Sequence, residues 1–354
     1  MQDTIFSKYE LKKIATALLQ AAGFSEHDAA VIAEDLVLAD MRGLFSHGTS
    51  RIPMYLKRVR ANCVKLQPDI VVEKVSHAAL KVNGDDGMGF LVAHRAVDEG
   101  MKLAESTGIA MVACTRSTHF GMSALYIQQA IDKNYISMIY TNSSPALPVH
   151  GGCTPFLGAA PFAAGLPGGF NSPPYILDMA MTVIARGKIR IAATNGEPIP
   201  LGLALDKDGN PTTDAAKAFE GICLPFGGHK GSALAMLMDM LCGMYTGSNY
   251  AGDVSSLYNK FSEPQNLGHL IFIMRPDIFI SLDEYKKRMD EYYRRIKALP
   301  KAQGVDEILM PGEPEARKEK ESLKSGIKIS GKILDDLCET AQLYHLDTKE
   351  LFNL

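Results

Sequence analysis

Apolar residues recur at helical spacing from the start of the chain. Leu11, Ile14 and Leu18 share one face behind Ser7-Lys8-Tyr9-Glu10, a capping box, and the helix they predict stops at Gly23. Ser25-Glu26-His27-Asp28 opens a second helix, with Ile32, Leu36 and Leu38 inward and its end at Gly43; His27 is a surface residue of its first turn. From about Ser50 the spacing of Ile52, Leu56 and Val59 is helical again. Two short strands, Ile70 to Val75 and Ala79 to Val82, and the turn Asn83 to Gly87 come next.

Beyond that turn the pattern changes. Phe90 to Ser106 has a helical period, and Ile109 to Cys114 is a continuous apolar strand. Ala124 to Lys133 is helical, and Ile136 to Tyr140 is a second buried strand. Helices alternating with apolar strands indicate an α/β sheet covered on both faces. Pro145 to Pro174, rich in Gly, Pro and Ala, reads as loop that passes close to a ligand or partner. Ile176 to Ile184 reads as a strand, and Pro198 to Thr213 as polar turns. Lys230 to Met244 is apolar almost all round and predicts a buried helix whose methionines belong to the core. Gly268 to Met274 predicts a buried strand, and the chain from Leu282 is charged amphipathic helix and loop that includes Lys332 to Tyr344.

A chain of 354 residues is long enough for two lobes. The division expected is 1–75 as the helical part of a first lobe, 76–267 as an α/β cofactor-binding domain, and 268–354 returning to the first lobe. With 46% apolar and 22% charged residues and a formal net charge of −3, the composition lacks the basic excess of a nucleic-acid binder. No apolar run is long enough to span a bilayer and no signal-peptide pattern opens the chain. Six scattered cysteines without a CxxC pair suit reduced thiols in the cytoplasm rather than a zinc or disulfide framework.

Candidate chemistry is concentrated between Ser46 and Tyr55. Ser46, His47, Arg51 and Tyr55 put a hydroxyl, an imidazole, a guanidinium and a phenol within ten residues, with glycines 43 and 48 on either side of Ser46-His47. An arginine can hold a carboxylate bidentately and a histidine can move a proton near neutrality. The alternative is a helix boundary with a solvated arginine and a capped turn. His119 lies between a buried strand and a helix, at the end of a strand where ligands collect. Thr141-Asn142-Ser143-Ser144-Pro145 shares that edge if the two strands are parallel, and Asp178 is one acid among neutral residues. Gly227-Gly228-His229-Lys230-Gly231-Ser232 lacks the order of a phosphate loop, yet a glycine-rich helix start with a lysine can hold an anion; tight packing alone would also explain it. No Gly-x-Gly-x-x-Gly fingerprint follows a strand. His77, His94, His150, His269 and His345 read as structural or surface.

These segments together resemble the malate/L-lactate dehydrogenase family of the second type, which includes ureidoglycolate dehydrogenases, diketogulonate reductase and sulfolactate dehydrogenases. The resemblance rests on RGLFSHGTSR at 42–51, HFG at 119–121, TNSSP at 141–145, DMA at 178–180, GGHKG at 227–231 and GHLIFIMRP at 268–276, in family order across nearly the whole chain. It implies a non-Rossmann α/β fold and a dehydrogenase acting on small 2-hydroxy or 2-oxo acids with NAD, or with NADP. It also implies a homodimer with the cofactor near the subunit interface. By this resemblance His119 is the catalytic acid/base, with His47 as second candidate, and Ser46, Arg51 and Tyr55 face the substrate. Ser143, Asp178, Met179, Ala180, Lys230, Gly231 and the Pro311-Gly312 turn are the cofactor contacts.

Two departures stand out. This chain has Gly158-Ala159-Ala160-Pro161 where many members have Gly-Thr-Asn-Pro, so two polar side chains are missing. Ser144 stands at a position where ureidoglycolate-specific relatives can carry an acid. The mechanism expected is carboxylate binding at Arg51, hydride delivery to the carbonyl carbon, and proton donation by His119 or His47. Three other readings remain: a cyclic imino-acid reductase with nearly the same residues, a metal hydrolase using His47, His119 and His229, and a non-catalytic small-ligand binder.

Overall fold

The capping box forms as the sequence predicts. Ser7 Oγ accepts the Glu10 N–H at 3.2 Å, the Glu10 carboxylate accepts the Ser7 N–H at 2.8 Å, and α1 (Lys8–Ala21) follows. Ser25 Oγ caps α2 (Glu26–Met41) in the same manner, at 3.1 Å from the Asp28 N–H. The computed structural model describes residues 1–352. After α3 (Ile52–Arg60), a hairpin of β1 (Val71–Ser76) and β2 (Ala79–Asn83) leads to α4 (Gly89–Thr107), β3 (Ile109–Ser117), α5 (Ala124–Ile131) and β4 (Ile136–Thr141). Then come β5 (Phe162–Leu166), β6 (Tyr175–Met179), α6 (Arg186–Asn195), α7 (Ala215–Glu220) and α8 (His229–Asp239), the last running into a π-helical turn, Met240–Tyr245. The chain closes with β7 (Leu267–Met274), α9 (Leu282–Lys297), α10 (Glu313–Ser325), α11 (Gly331–Leu343) and α12 (Thr348–Phe352).

The seven strands form one mixed sheet in the order β1-β2-β3-β7-β4-β5-β6. Only β2 and β3 pair in parallel; every other neighbouring pair is antiparallel. The apolar run of β7 is inserted between β3 and β4 and is antiparallel to both, which makes β3 and β4 parallel to each other without their touching. Their carboxyl ends therefore emerge on one edge. In the expected three-part division β7 opens the last segment, yet it lies at the centre of the sheet of the second. Strands Thr4–Phe6 and Ile327–Ile329 pair antiparallel and tie the first helices to the last. One apolar core joins α1, α2, α4 and α5 to the sheet through Leu18, Leu36, Phe90, Ile127 and Ile271. A smaller core around Leu147, Ile189, Ala204 and Met238 underlies residues 147–238.

Three expectations are corrected. The stretch read as loop over 145–174 contains β5. Its Ala163, Ala164 and Gly165 are small because α5 packs directly on them: a Cβ on Gly165 would lie 2.2 Å from Ile127 Cγ2. The strand expected over 176–184 leaves the sheet after Met179, and the Met181 and Val183 amides bond instead to Ala159 and Leu224 carbonyls. The helix expected to be buried all round is buried on one side only; Leu234, Leu237, Met240, Met244 and Tyr245 are between 40% and 61% exposed. The apolar pattern predicts a covered helix, and this chain covers only one side of it. Among the described residues all six cysteines are free and five are buried, with Cys153 exposed. No helix among them is long and apolar enough to cross a membrane.

Ile271 is completely buried and faces Val112 on β3 and Ile139 on β4. Replacing it by alanine should cost about 2–5 kcal/mol, seen as a lower urea midpoint with an unchanged slope.

Candidate active site

The loop between α2 and α3 is built on a buried carboxylate. Asp40, 1% exposed, accepts the Thr49 N–H at 2.9 Å and the Thr49 hydroxyl at 2.6 Å, both on Oδ2. This bends the chain into two 3-10 turns, Phe45–His47 and Thr49–Arg51. Gly48 between them has an ordinary φ of −95°; it is glycine because a Cβ would stand 1.8 Å from Asp40 Oδ1. That oxygen has no hydrogen-bond partner among the described residues, and burial pushes the Asp40 carboxyl up to about 7 against the pull of the Thr49 bonds.

The turns present Ser46, His47 and Arg51 to a cleft at the carboxyl edge of β3 and β4, where His119 also emerges. The His47 and His119 rings stack with centroids 5.8 Å apart and planes 21° from parallel. Ser46 Oγ lies 2.9 Å from His47 Nδ1. Arg51 donates through Nε to the Ser46 carbonyl and through Nη1 to the Tyr258 hydroxyl, and it forms no ion pair with a carboxylate among the described residues. Behind His119, Tyr55 Oη is 2.7 Å from Nδ1, and the Gly121 N–H donates to the same nitrogen at 3.3 Å. A ring nitrogen that accepts carries no hydrogen. Tyr55 is therefore a donor too, and the neutral ring is the Nε2–H tautomer, with Nε2 lacking a partner among the described residues. Burial first, then the neighbouring His47 and Arg51, hold His119 well below the ordinary histidine range. Burial and Arg51 bring His47 down to about 4.

The cleft, about 2530 Å³, is far larger than the ~300–1,000 Å³ usual for one small ligand. The structure brings Ser143, Asp178, Met179, Ala180 and Gly312 to its walls along with Ser46, His47, Arg51 and His119. Asp178 Oδ2 accepts the Ala124 N–H at 2.8 Å at the start of α5, and the surrounding protein raises its carboxyl to about 6. Beside it Ser123 Oγ is buried without a partner among the described residues. Tyr55 is buried beneath the cleft and reaches it only through His119. Lys230 and Gly231 are not on its walls. Gly231 is packed so closely that a Cβ would lie 2.0 Å from the Phe226 carbonyl oxygen, and Lys230 is exposed at the start of α8. His229 pairs edge to face with His150 at 5.9 Å outside this cleft, so His47, His119 and His229 do not converge.

Sequence reasoning missed Gln265 and Tyr258. Gln265 Oε1 accepts the His119 N–H at 3.2 Å, and Tyr258 sits over Arg51 with its ring centroid 5.3 Å from the guanidinium carbon. Both lie on a polar loop with no periodicity to mark them. His269, read as structural, is fully buried between Ser117 and Thr141 directly under the site.

The sequence matches the malate/L-lactate dehydrogenase family over residues 6–338. It is 33% identical over 343 residues to the malate/(S)-sulfolactate dehydrogenase of Methanothermus fervidus, covering 97% of this chain and 99% of that one. The L-sulfolactate dehydrogenase of Methanocaldococcus jannaschii is 37% identical over 328 residues, 93% of this chain and 94% of that one. The solved sulfolactate dehydrogenase structure from that organism superposes with a TM-score of 0.92 over 98% of this chain and 99% of the other, at 35% identity. The ureidoglycolate dehydrogenase (NAD(+)) of Escherichia coli K12 is 30% identical over 348 residues, 98% of this chain and 99% of that one.

Asp40 gives a pH signature with a definite sign. The folded carboxyl keeps its proton up to about 7, whereas an unfolded aspartate loses it near about 4. Between those values the folded state binds the extra proton, so stability should fall as pH rises from about 4 to about 7. Thermal midpoints measured across that window should show the slope in the wild type and a flatter curve in Asp40→Asn. Parallel curves would mean that Asp40 is not its source.

Proposed function

The chain belongs to the malate/L-lactate dehydrogenase family, and we propose that its cleft transfers hydride between NAD or NADP and a small 2-hydroxy or 2-oxo carboxylic acid. The observation that carries this reading is Arg51, a guanidinium without a carboxylate partner among the described residues, beside two histidines in one cleft. A cation left unpaired in a concave site is suited to an anionic ligand, and its fork matches a carboxylate.

The remaining walls suit a dinucleotide. Ser123 offers a buried hydroxyl without a partner among the described residues, and the N-termini of α6, at Ala185, and of α10, at Gly312, both open on the cleft. Helix N-termini with free amides favour phosphate groups. Ser143, the Asp178–Ala180 backbone and Gly312 would hold the cofactor, which supplies or accepts the hydride when bound.

The chain's own residues handle the anion and the proton. A substrate carboxylate on Arg51 offsets the positive charge that helps to keep His119 neutral, so binding raises the proton affinity of that ring. Nε2–H then faces the oxygen on which charge grows during reduction. When the ring takes up its second proton, Tyr55 turns from donor to acceptor at Nδ1. His47, stacked on His119 and held near Ser46, is the second proton carrier within reach.

The proposal includes a homodimer. The exposed apolar stripe of α8 and its π-helical turn supports it, since a partner copy would cover that face. Lys230 and Gly231 match cofactor positions of the family yet stand outside this chain's cleft, so they would serve a cleft completed by the partner. Six free thiols, five of them buried, suit the cytoplasm.

Oxidation of NADH or NADPH by the purified protein, followed by absorbance against pyruvate, oxaloacetate and sugar-derived 2-oxo acids, should show turnover with at least one pair. Silence on every acid would end this reading. In His119→Ala turnover should fall by roughly 10²–10⁴-fold, with dinucleotide binding nearly intact. Leu237→Glu, in the middle of the exposed stripe, should convert the dimer to monomer in light scattering; a wild-type protein that is already monomeric would refute the dimer.

A further inference from the structure

Between Ser255 and Gln265 the chain forms neither helix nor strand, yet it is fastened at several points. Arg58 on α3 is 1% exposed and has no carboxylate partner among the described residues. It donates instead to three carbonyls of this loop: Ser256 at 3.2 Å, Lys260 at 2.8 Å and Glu263 at 3.1 Å. Its guanidinium carbon also lies 5.8 Å from the centroid of the Phe261 ring, and the Lys57 ammonium lies 4.3 Å from the same centroid. Burying a guanidinium without a counter-charge is costly, and a loop that merely connects two elements has no need of it. At its far end Gln265 bridges the Ser255 carbonyl, at 3.3 Å, and the His119 N–H, at 3.2 Å. The loop is thus built into the same scaffold as the proton-carrying histidine.

What this scaffold presents is Tyr258. Its ring lies over Arg51 and its hydroxyl accepts from Nη1, while the side chain remains 53% exposed at the mouth of the cleft. No other aromatic side chain covers Arg51 among the described residues. We propose that Tyr258, held over Arg51 by the Arg58-fastened loop, is a specificity-determining residue that limits the size of the group a 2-oxo acid carries beyond its carbonyl carbon. The proposal rests on the dehydrogenase reading of this site. A ring roofing the carboxylate anchor restricts the space left for the rest of the acid, and contacts of this kind are worth roughly 10–200-fold in discrimination per methylene-sized difference.

The test compares kcat/KM for pyruvate and for 4-methyl-2-oxopentanoate, which differ in bulk but not in charge, in the full-length wild type, Tyr258→Ala and Tyr258→Phe. Tyr258→Ala should raise the ratio in favour of the larger acid by at least about tenfold. Tyr258→Phe keeps the ring and should leave the ratio unchanged, while the KM of both acids shifts because Arg51 loses its hydroxyl partner. An unchanged ratio in Tyr258→Ala, with the wild type active on pyruvate, overturns the role of Tyr258 and leaves the dehydrogenase reading standing. A ratio that moves equally in Tyr258→Phe also overturns it, since the ring would then not be the gauge. A wild type inactive on every 2-oxo acid removes the reading and the inference together.

Discussion

A buried imidazole holds the cleft together. His269 on β7 lies with Nε2 2.7 Å from Ser117 Oγ, at the end of β3, and Nδ1 2.7 Å from Thr141 Oγ1, at the end of β4. Its ring stacks on Phe120 at 4.5 Å with the planes 9° apart. Complete burial brings its pKa down to about 3, so it stays uncharged and serves as a two-ended hydrogen-bonding strut. Both strand ends lead directly into the site: one to His119, the other to Asn142 and Ser143. Asn142 continues the bracing, accepting the Gly268 N–H at 3.1 Å and donating to the Asn249 carbonyl at 2.6 Å. The histidines that face the cleft are positioned by one that does not.

Several titratable groups next to this frame are held uncharged. The two histidines in the cleft are held neutral, Asp40 beneath the loop keeps its proton to about 7, and Asp178 on the opposite wall to about 6. Arg51, hydrogen-bonded but without a carboxylate partner among the described residues, is the positive centre at the histidine end. Its field is one reason the histidines resist protonation. On the proposed reading, an anion arriving at Arg51 would couple binding to proton uptake through a single side chain.

Much of this was legible before any coordinates. The caps at Ser7 and Ser25, the buried runs of β3, β4 and β7, and the placing of His119 just beyond a strand all follow from periodicity and local chemistry. Most of the segments that line the cleft are marked by their resemblance to a family rather than by any one motif. What stayed hidden depends on contacts distant in sequence. Nothing in Gly268 to Met274 says that it pairs with both 109–117 and 136–141. Nothing in the apolar pattern of α8 says that its outer side faces away from this chain. Tyr55 shares a helix face with Arg51, yet one points at the cleft and the other supports His119 from below. The Ala-Gly strand β5 resembled loop because the helix above it leaves no room for larger side chains. At Ala160, where the family resemblance leads one to expect asparagine, the backbone has φ 43°, a left-handed conformation that asparagine tolerates better than alanine, and alanine keeps it at a cost of about 1–2 kcal/mol.

The place of β7 also orders events in time. A ribosome releases β3 and β4 well before residues 267–274, so during synthesis these strands stand with unpaired edges that only a later segment can fill. The pairing of Thr4–Phe6 with Ile327–Ile329 is completed later still. Nascent chains of this protein therefore spend most of their elongation without a finished sheet, and the emerging strand that closes it carries His269, the strut of the active site.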